Sequence, residues 1–126
     1  MGDIIENKLN TKLRLSVQEI EGIQFAASKV AFSNIVSEIL IFGSRTKVDT
    51  AGGDIDLLVE TRQKVDDVSR AAWEFKSLLW DKIGEQKIDI FFWSKNPSEN
   101  SMESQSFYSH IRPNAVEIWK SECKKN

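Results

Sequence analysis

The sequence is poor in the residues that form covalent cross-links and soft-metal sites. Among 126 residues it has one cysteine, one histidine and two prolines. A single cysteine, Cys123, excludes a disulfide within the chain and a zinc site built on several thiolates. This cysteine usage is typical of a reducing compartment, and Cys123 itself has no predicted role. The only histidine, His110, is interpreted as a surface or packing residue.

Long apolar runs and a strong net charge are also missing. No segment approaches the roughly 20 apolar residues of a membrane-spanning helix. The N-terminal stretch "MGDIIENKLNTK" lacks the apolar run of a signal peptide. We therefore expect a cytoplasmic protein with no membrane partner. The formal net charge of −2 gives no basic field, so direct nucleic-acid binding is not predicted. A polyanionic ligand would need a metal ion or a few cationic side chains.

What the chain does contain is the composition of an ordinary globular protein, with 40% hydrophobic and 29% charged residues. Its length predicts a single domain over residues 1–126. A chain of this size buries roughly two-thirds of its unfolded surface. It has no internal repeat and no linker-like segment.

Hydrophobic spacing predicts an alternation of helices and strands. A helix in "SVQEIEGIQFAASKVAF" begins with a capping box, Ser16 and Glu19. A second helix, in "KVDDVSRAAWEFKSLLWDKIG", ends at Gly84. The pattern predicts strands at 39–42, 54–60 and 87–93, and the first two are close enough to neighbour each other in either direction. The segment 94–104 is predicted as a loop, and 104–126 as helical with a break near Pro113. This order indicates a small α/β domain.

Two aspartates interrupt the second strand, in "GGDIDLLVE". Side chains two apart on a strand share a face, so Asp54 and Asp56 are expected to project together, away from Ile55. Two such charges repel and raise each other's pKa unless a cation lies between them. Carboxylate ligands without histidine or thiolate suit magnesium, which also binds water and substrate phosphates. The alternative is a strand-entry turn with solvated carboxylates.

A third aspartate, Asp89, lies in the strand "KIDIFF". If this strand neighbours 54–60, Asp89 can join Asp54 and Asp56 in a two-metal cluster. Such a cluster stabilises both the attacking and leaving oxygens of phosphoryl transfer. The alternative places Asp89 on an edge strand facing water.

The turn Gly43-Ser44-Arg45 after the first strand has the residue types of a phosphate site. Glycine permits a tight backbone, and the following amides can face a phosphate. The Ser44 hydroxyl can donate to a phosphate oxygen, or cap a short helix. The Arg45 guanidinium can add a charged contact, although surface cations are common.

Together, "GSR", the "DID" that begins nine residues after Arg45, and "KIDIFF" resemble the nucleotidyltransferases of the DNA polymerase β superfamily. The resemblance covers roughly residues 36–93. The short chain looks like a minimal nucleotidyltransferase (MNT), a class often encoded beside a helical HEPN partner. The resemblance implies a polymerase β-like α+β fold, in which helices flank a small mixed β-sheet. The late helix, with Phe107, Ile111 and Ile118, is similar in style but less specific.

The resemblance also implies roles by position. Gly43 and Ser44 would hold the triphosphate. Asp54 and Asp56 would bind two magnesium ions, and Asp89 would complete the site and accept the proton of an attacking hydroxyl. The reaction would transfer AMP from ATP to a tyrosine of a HEPN-type toxin, which makes the chain an antitoxin.

Two departures from the family pattern bear on activity. Val48 stands where many relatives have glycine, and Gly53 where many have serine. Neither change removes a metal ligand. Two alternatives therefore stay open: a non-catalytic antitoxin that keeps the fold and binds its partner, or transfer to a small hydroxylated molecule. The second needs an acceptor pocket, which a homodimer could supply.

Trp73 and Trp80 lie seven residues apart, hence on one face of the second helix. This face is offset from the stripe that contains Phe75 and Leu79. The pair is interpreted either as part of a wide apolar stripe packed on the sheet or as a protein-contact surface, where aromatic residues are enriched.

Overall fold

The structure, a computed structural model, describes residues 15–43 and 54–121. Within these ranges the chain forms a four-stranded sheet and three α-helices. The strands are β1 (Val36–Phe42), β2 (Ile55–Thr61), β3 (Ile88–Ser94) and β4 (Val116–Lys120), and the helices are α1 (Val17–Lys29), α2 (Val68–Ile83) and α3 (Met102–Ile111).

The sheet is mixed, with strand order β3-β2-β1-β4. Strand β1 is antiparallel to both β2 and β4, whereas β2 and β3 are parallel. A parallel pair needs a crossover connection, and α2 supplies it. The predicted class, a small mixed sheet flanked by helices, is confirmed. Strand β2 lies between β1 and β3, so the two strands predicted to carry aspartates are neighbours.

Local sequence signals explain where the helices begin and end. Ser16 accepts from the Glu19 amide at 3.0 Å and Glu19 accepts from the Ser16 amide at 2.9 Å, which confirms the predicted capping box. Asp67 accepts from the Arg70 amide and starts α2. Gly84 ends α2 with φ of +90°, a conformation that L side chains rarely adopt. None of the described helices is both long and apolar enough to cross a membrane.

One face of the sheet packs against α1 and α2 and forms the main core. Alternate residues of β2, Ile55, Leu57 and Val59, point to this face and are fully buried. They meet Ile23 of α1 and Phe75 of α2, which are also fully buried. The predicted alternation of β3 is confirmed, since its apolar residues Ile88, Ile90 and Phe92 join this core.

The opposite face packs against α3 in a smaller cluster. Leu40, Leu58, Trp93 and Ile111 form it, and the ring of Tyr108 stacks on that of Trp93 with centroids 3.9 Å apart. Because side chains alternate along β2, Asp56 and Glu60 share this face with Leu58. The α3 face of β2 therefore has a carboxylate on each side of one buried leucine.

The prediction that residues 104–126 are helical is wrong over residues 112–121, and residues 122–126 lie outside the described ranges. Helix α3 already begins at Met102, capped by Ser101, and a 3₁₀ turn at Arg112–Asn114 follows it. The chain then forms β4, in which Ile118 is buried in the main core. Pro113 prevents the helix from continuing, and pairing with β1 sets the extended conformation of the five residues of β4. The predicted loop 94–104 also contains a 3₁₀ turn at Pro97–Glu99.

Beside β4, two glutamates face each other across β1 and β2, and we call them the Glu38–Glu60 pair. Glu60 is only 1% exposed. Tyr108 Oη donates to its Oε2 at 2.7 Å and Arg112 Nε donates to the same oxygen at 2.9 Å. Lys95 Nζ lies 3.7 Å from Glu38 and 3.8 Å from Glu60. Burial and the hydrogen bond to Glu60 raise the pKa of Tyr108 to about 12, so its hydroxyl keeps the proton that it donates. Two cations thus compensate this pair.

Candidate functional site

Three aspartates meet at the other end of the α3 face, and we call them the aspartate cluster: Asp54, Asp56 and Asp89. Asp56 of β2 and Asp89 of β3 are in register on neighbouring parallel strands, and their side chains share a hydrogen bond. Asp54 directly precedes β2, while Ile55 is buried on the opposite face. The structure therefore pairs Asp56 with Asp89 and places Asp54 near enough for its charge to act on Asp56. Asp89 lies on an edge strand and is exposed, as the alternative interpretation expected, while its role in a metal cluster stays a prediction.

The surroundings of Asp56 disfavour its charged form. Partial burial is the largest cause, followed by the negative charges of Asp89 and Asp54 and the hydrogen bond to Asp89. The positive charge of Lys87 acts in the opposite direction but does not offset them. Together these effects raise the pKa of Asp56 to about 6. A bound divalent cation would replace the shared proton and reverse this shift, because it favours the ionised carboxylate.

Asp54 has an ion-pair partner of its own. Lys87, which directly precedes β3, places Nζ 3.6 Å from Asp54 Oδ2. Both side chains are well exposed, at 69% for Lys87 and 45% for Asp54. Exposed pairs of this kind contribute about 0–1 kcal/mol. Lys87 can therefore move away from Asp54 at little cost when a stronger cation binds there.

Gly43, which directly follows β1, lies against the carboxylate of Asp56. It has φ of +82°, and a Cβ added at this position would collide with Asp56 Oδ2. The backbone conformation therefore favours glycine, and a Cβ at this position would force the Asp56 carboxylate to shift. The positive φ agrees with the conformational freedom expected of this glycine, while its role in binding phosphate stays a prediction. Ser44 and Arg45, the other residues predicted to bind phosphate, lie outside the described residues, as do Val48, Gly53 and Cys123.

Three phenylalanines flank the aspartate cluster, and sequence reasoning did not connect them with it. Phe42 is the β1 residue directly opposite Asp56. Phe91 is two residues from Asp89 on the same face of β3. The ring of Phe107 on α3 contacts both, with centroids 5.9 Å from Phe42 and 4.9 Å from Phe91. The two-residue spacing of Asp89 and Phe91 is a signal that could have placed Phe91 beside the site.

The carboxylate oxygens of the aspartates are the type of ligand that magnesium prefers, although the described residues do not supply a complete coordination shell. Within residues 15–43 and 54–121, no group of three or more Asp, Glu, His or Cys side chains is arranged to hold a metal ion. Asp56 and Asp89 nevertheless provide two adjacent hard oxygen ligands. Magnesium usually takes one or two carboxylates and completes its shell with water and substrate phosphates. The aspartate cluster can thus offer a magnesium ion its protein ligands.

The two tryptophans of α2 lie away from the aspartate cluster. Trp80 packs against the main core and donates its ring N–H to the Gln86 carbonyl at 2.9 Å, so packing explains it. Trp73 contacts Trp80 edge to face but is 61% exposed. It lines an open groove of about 750 Å³. The groove walls include Lys29, Phe32, Val65, Arg70 and Leu78. His110 is exposed, as predicted for a surface residue.

Comparisons with known proteins leave the family of this chain open. A scan against protein-family models finds no match, and a search of curated proteins finds none either. The resemblance to polymerase β nucleotidyltransferases therefore stays a prediction, based on the glycine-serine turn and the aspartate cluster.

Proposed function

We propose that this chain is a magnesium-dependent nucleotidyltransferase that transfers AMP from ATP to a hydroxyl group. The proposed acceptor is a tyrosine of a HEPN-type toxin, and the result is neutralisation of that toxin in the cytoplasm. The observation that carries the proposal is the pairing of Asp56 with Asp89, two carboxyl groups in register on neighbouring strands that share a hydrogen bond and raise the pKa of Asp56. The partner and the base rest on the sequence resemblance.

The electrostatics of the aspartate cluster support a metal-binding role. An arrangement that raises the pKa of Asp56 to about 6 is unfavourable at neutral pH, where the side chain is ionised. Perturbed carboxylates of this kind are concentrated at functional sites. A purely structural pair would be expected to have a fixed counter-charge, as the Glu38–Glu60 pair has in Lys95 and Arg112.

The roles of the residues follow from their positions. Magnesium would be held by Asp56 and Asp89, which are adjacent, and, as the resemblance implies, also by Asp54. It would neutralise charge on the triphosphate and on the departing pyrophosphate. The acceptor oxygen forms a bond to the α-phosphorus, and the bond from that phosphorus to the bridging oxygen breaks. Asp89 is more exposed than Asp56, the other aspartate within a strand. An acceptor can therefore reach Asp89, which takes the proton of the attacking hydroxyl. Gly43 leaves room for the Asp56 carboxylate, while Ser44 and Arg45 remain the proposed phosphate contacts.

A non-catalytic antitoxin is the second candidate. The ion pair between Asp54 and Lys87 is the observation in its favour, because it gives one carboxylate of the cluster a counter-charge within the chain, although an exposed pair of this kind is weak. In this case the chain would bind its partner through the preserved fold and transfer nothing. Transfer to a small hydroxylated molecule, with a second copy of the chain completing the acceptor pocket, is tested by the same assay with a different acceptor.

A transfer assay separates these candidates. The chain is incubated with magnesium, ATP labelled at the α-phosphate, and the product of the neighbouring gene, and the label is located by mass spectrometry. We expect one adenylyl group on a partner tyrosine. Asp54→Ala should abolish the transfer, while Asp81→Asn, which changes an exposed carboxylate on α2, should not. An intact, inhibited complex without label in wild type and Asp54→Ala would indicate the non-catalytic candidate.

A further inference from the structure

The ring of Phe107 is unusually open for a residue that is part of an apolar contact. It is 42% exposed although it touches two other phenylalanines. Its plane makes angles of 78° with Phe42 and 84° with Phe91, so neither neighbour lies parallel to it. Its sequence neighbour Tyr108 differs, because the ring of Trp93 stacks parallel on it. Packing on the sheet accounts for Tyr108 but leaves part of Phe107 uncovered.

The ring of Phe107 lies beside the aspartate cluster, because both residues that it contacts are neighbours of an aspartate in the sheet. Phe42 lies opposite Asp56 in the sheet, and Phe91 follows Asp89 by two residues, a rise of about 7 Å along the strand. Phe107 joins these two residues from α3. An apolar aromatic surface thus borders a charged site directly, on the same face of the sheet. With magnesium at the aspartates, as in the proposed function, a ligand that contacts both surfaces would have an anionic part and a flat aromatic part, separated by a short spacer.

We propose that the base of the nucleoside triphosphate stacks on the ring of Phe107. Phe42 and Phe91, which contact this ring from the sheet, hold it in place. The proposal rests on the proposed function, because that function supplies the triphosphate at the aspartates. Stacking on an aromatic ring tolerates any base, since every base has a π-face. We therefore assign affinity for the base to Phe107, and we do not assign it a preference among the four bases.

The experiment compares ATP with inorganic tripolyphosphate, which has the phosphates but no base. Binding of each to the full chain with magnesium is measured by calorimetry for wild type, Phe107→Ala and Phe107→Leu. Leucine keeps an apolar contact with Phe42 and Phe91, so it removes the aromatic face without leaving a cavity. Met102→Ala is the control, because Met102 is on the same helix and is 85% exposed.

We expect both Phe107 variants to weaken ATP binding by about tenfold or more, within the range that alanine substitution gives for base–aromatic stacking. Tripolyphosphate binding and the thermal midpoint of Phe107→Leu should stay at wild-type values, and Phe107→Trp should retain ATP affinity. Equal losses for ATP and tripolyphosphate, or unchanged ATP affinity with a raised KM for the acceptor, would overturn the proposal. If wild type binds neither ligand, the proposed function itself fails, and the platform fails with it.

Discussion

Two cross-strand carboxylate pairs lie on the same face of β2, and their surroundings are opposite. Asp56 faces Asp89, and four residues further along, about 13 Å, Glu60 faces Glu38. The glutamates are deeply placed and have Lys95 and Arg112 as counter-charges. The aspartates are half-buried or exposed, and one of them has a raised pKa. Among the described residues, the glutamates thus have two cations that contact the pair itself, whereas the cation nearest the aspartates, Lys87, pairs with Asp54 and does not offset the rise in the pKa of Asp56.

Removing the charge of Asp56 tests whether the pair that it forms with Asp89 has a function, and we expect this change to have the strongest consequence. Asp56→Asn keeps the shape of the side chain but removes its charge and half of its ligand capacity. We expect nucleotidyl transfer to fall by about 100-fold or more, because metal ions contribute several kcal/mol of transition-state stabilisation. The unfolding free energy at neutral pH should not fall, since the replaced carboxylate is destabilising when ionised. Transfer kinetics and urea denaturation measure the two. A large loss of stability would make Asp56 a structural residue.

The second prediction concerns the Glu38–Glu60 pair and its counter-charge Arg112. Arg112→Met removes the Nε–H that donates to Glu60 and leaves a buried carboxylate with one cation fewer. We expect a loss of about 2 kcal/mol in unfolding free energy, below the value for a fully buried pair because Arg112 is partly exposed. Lys87→Met at the aspartate cluster is the matched change, and we expect less than about 0.5 kcal/mol there. Urea denaturation measures both unfolding free energies. Equal losses for Arg112→Met and Lys87→Met would contradict the view that the glutamates depend on their counter-charges more than the aspartates do.

The third prediction uses two glycines with similar φ values. Gly43→Ala and Gly84→Ala should each lower stability by about 1–2 kcal/mol, because both residues have positive φ. Only Gly43→Ala should also weaken magnesium binding, since its methyl group displaces the Asp56 carboxylate, whereas a Cβ at Gly84 meets no atom within 4 Å. Titration with magnesium followed by calorimetry checks this. Equal magnesium affinities in the two variants would show that the contact with Gly43 does not position Asp56.

The last prediction concerns the pH dependence of stability, and we expect its effect to be small because Asp56 is partly exposed and solvent screens its interactions. The pKa of Asp56 is raised from 3.8 to about 6 in the folded protein, so the folded state holds this proton more tightly than the unfolded chain does. The resulting stabilisation is complete below pH 3.8 and is lost as the pH rises through about 6. The difference in unfolding free energy between wild type and Asp56→Asn should therefore change across this window. Parallel pH curves for the two proteins, measured by urea denaturation, would contradict it.

The sequence predicted those parts of the molecule that depend on local signals. Ser16, Glu19 and Gly84 set helix ends through contacts within a few residues, and alternation in β3 set which residues enter the core. The aspartate cluster was predictable because residues two apart on a strand, such as Asp54 and Asp56, point to the same face. The only assumption needed was that β2 and β3 are adjacent in the sheet. The binding roles of Asp54, Asp56, Asp89 and Gly43 stay predictions.

The parts that the sequence did not reveal depend on contacts between distant residues. Strand β4 contains a helix-compatible pattern, and its extended conformation comes from pairing with β1, almost eighty residues earlier. The ion pairs of Glu60 join β2 to Arg112, which is 52 residues away. In the sequence, Glu60 is one more charged residue at the end of a strand. No local pattern distinguishes a glutamate that will be buried from one that will be solvated.

The position of β3 at the edge of the sheet has a consequence for protein engineering. An edge strand has an unpaired row of backbone groups, to which a strand of another molecule can add, and charged residues on the edge oppose such aggregation. In "KIDIFFWSK" the charges are Lys87, Asp89 and Lys95, and the residues between them are mostly apolar. Neutralising Asp89 with alanine or valine would leave a long uncharged edge. Asparagine at this position keeps the edge polar while it removes the carboxylate, so loss of activity and loss of solubility can be distinguished.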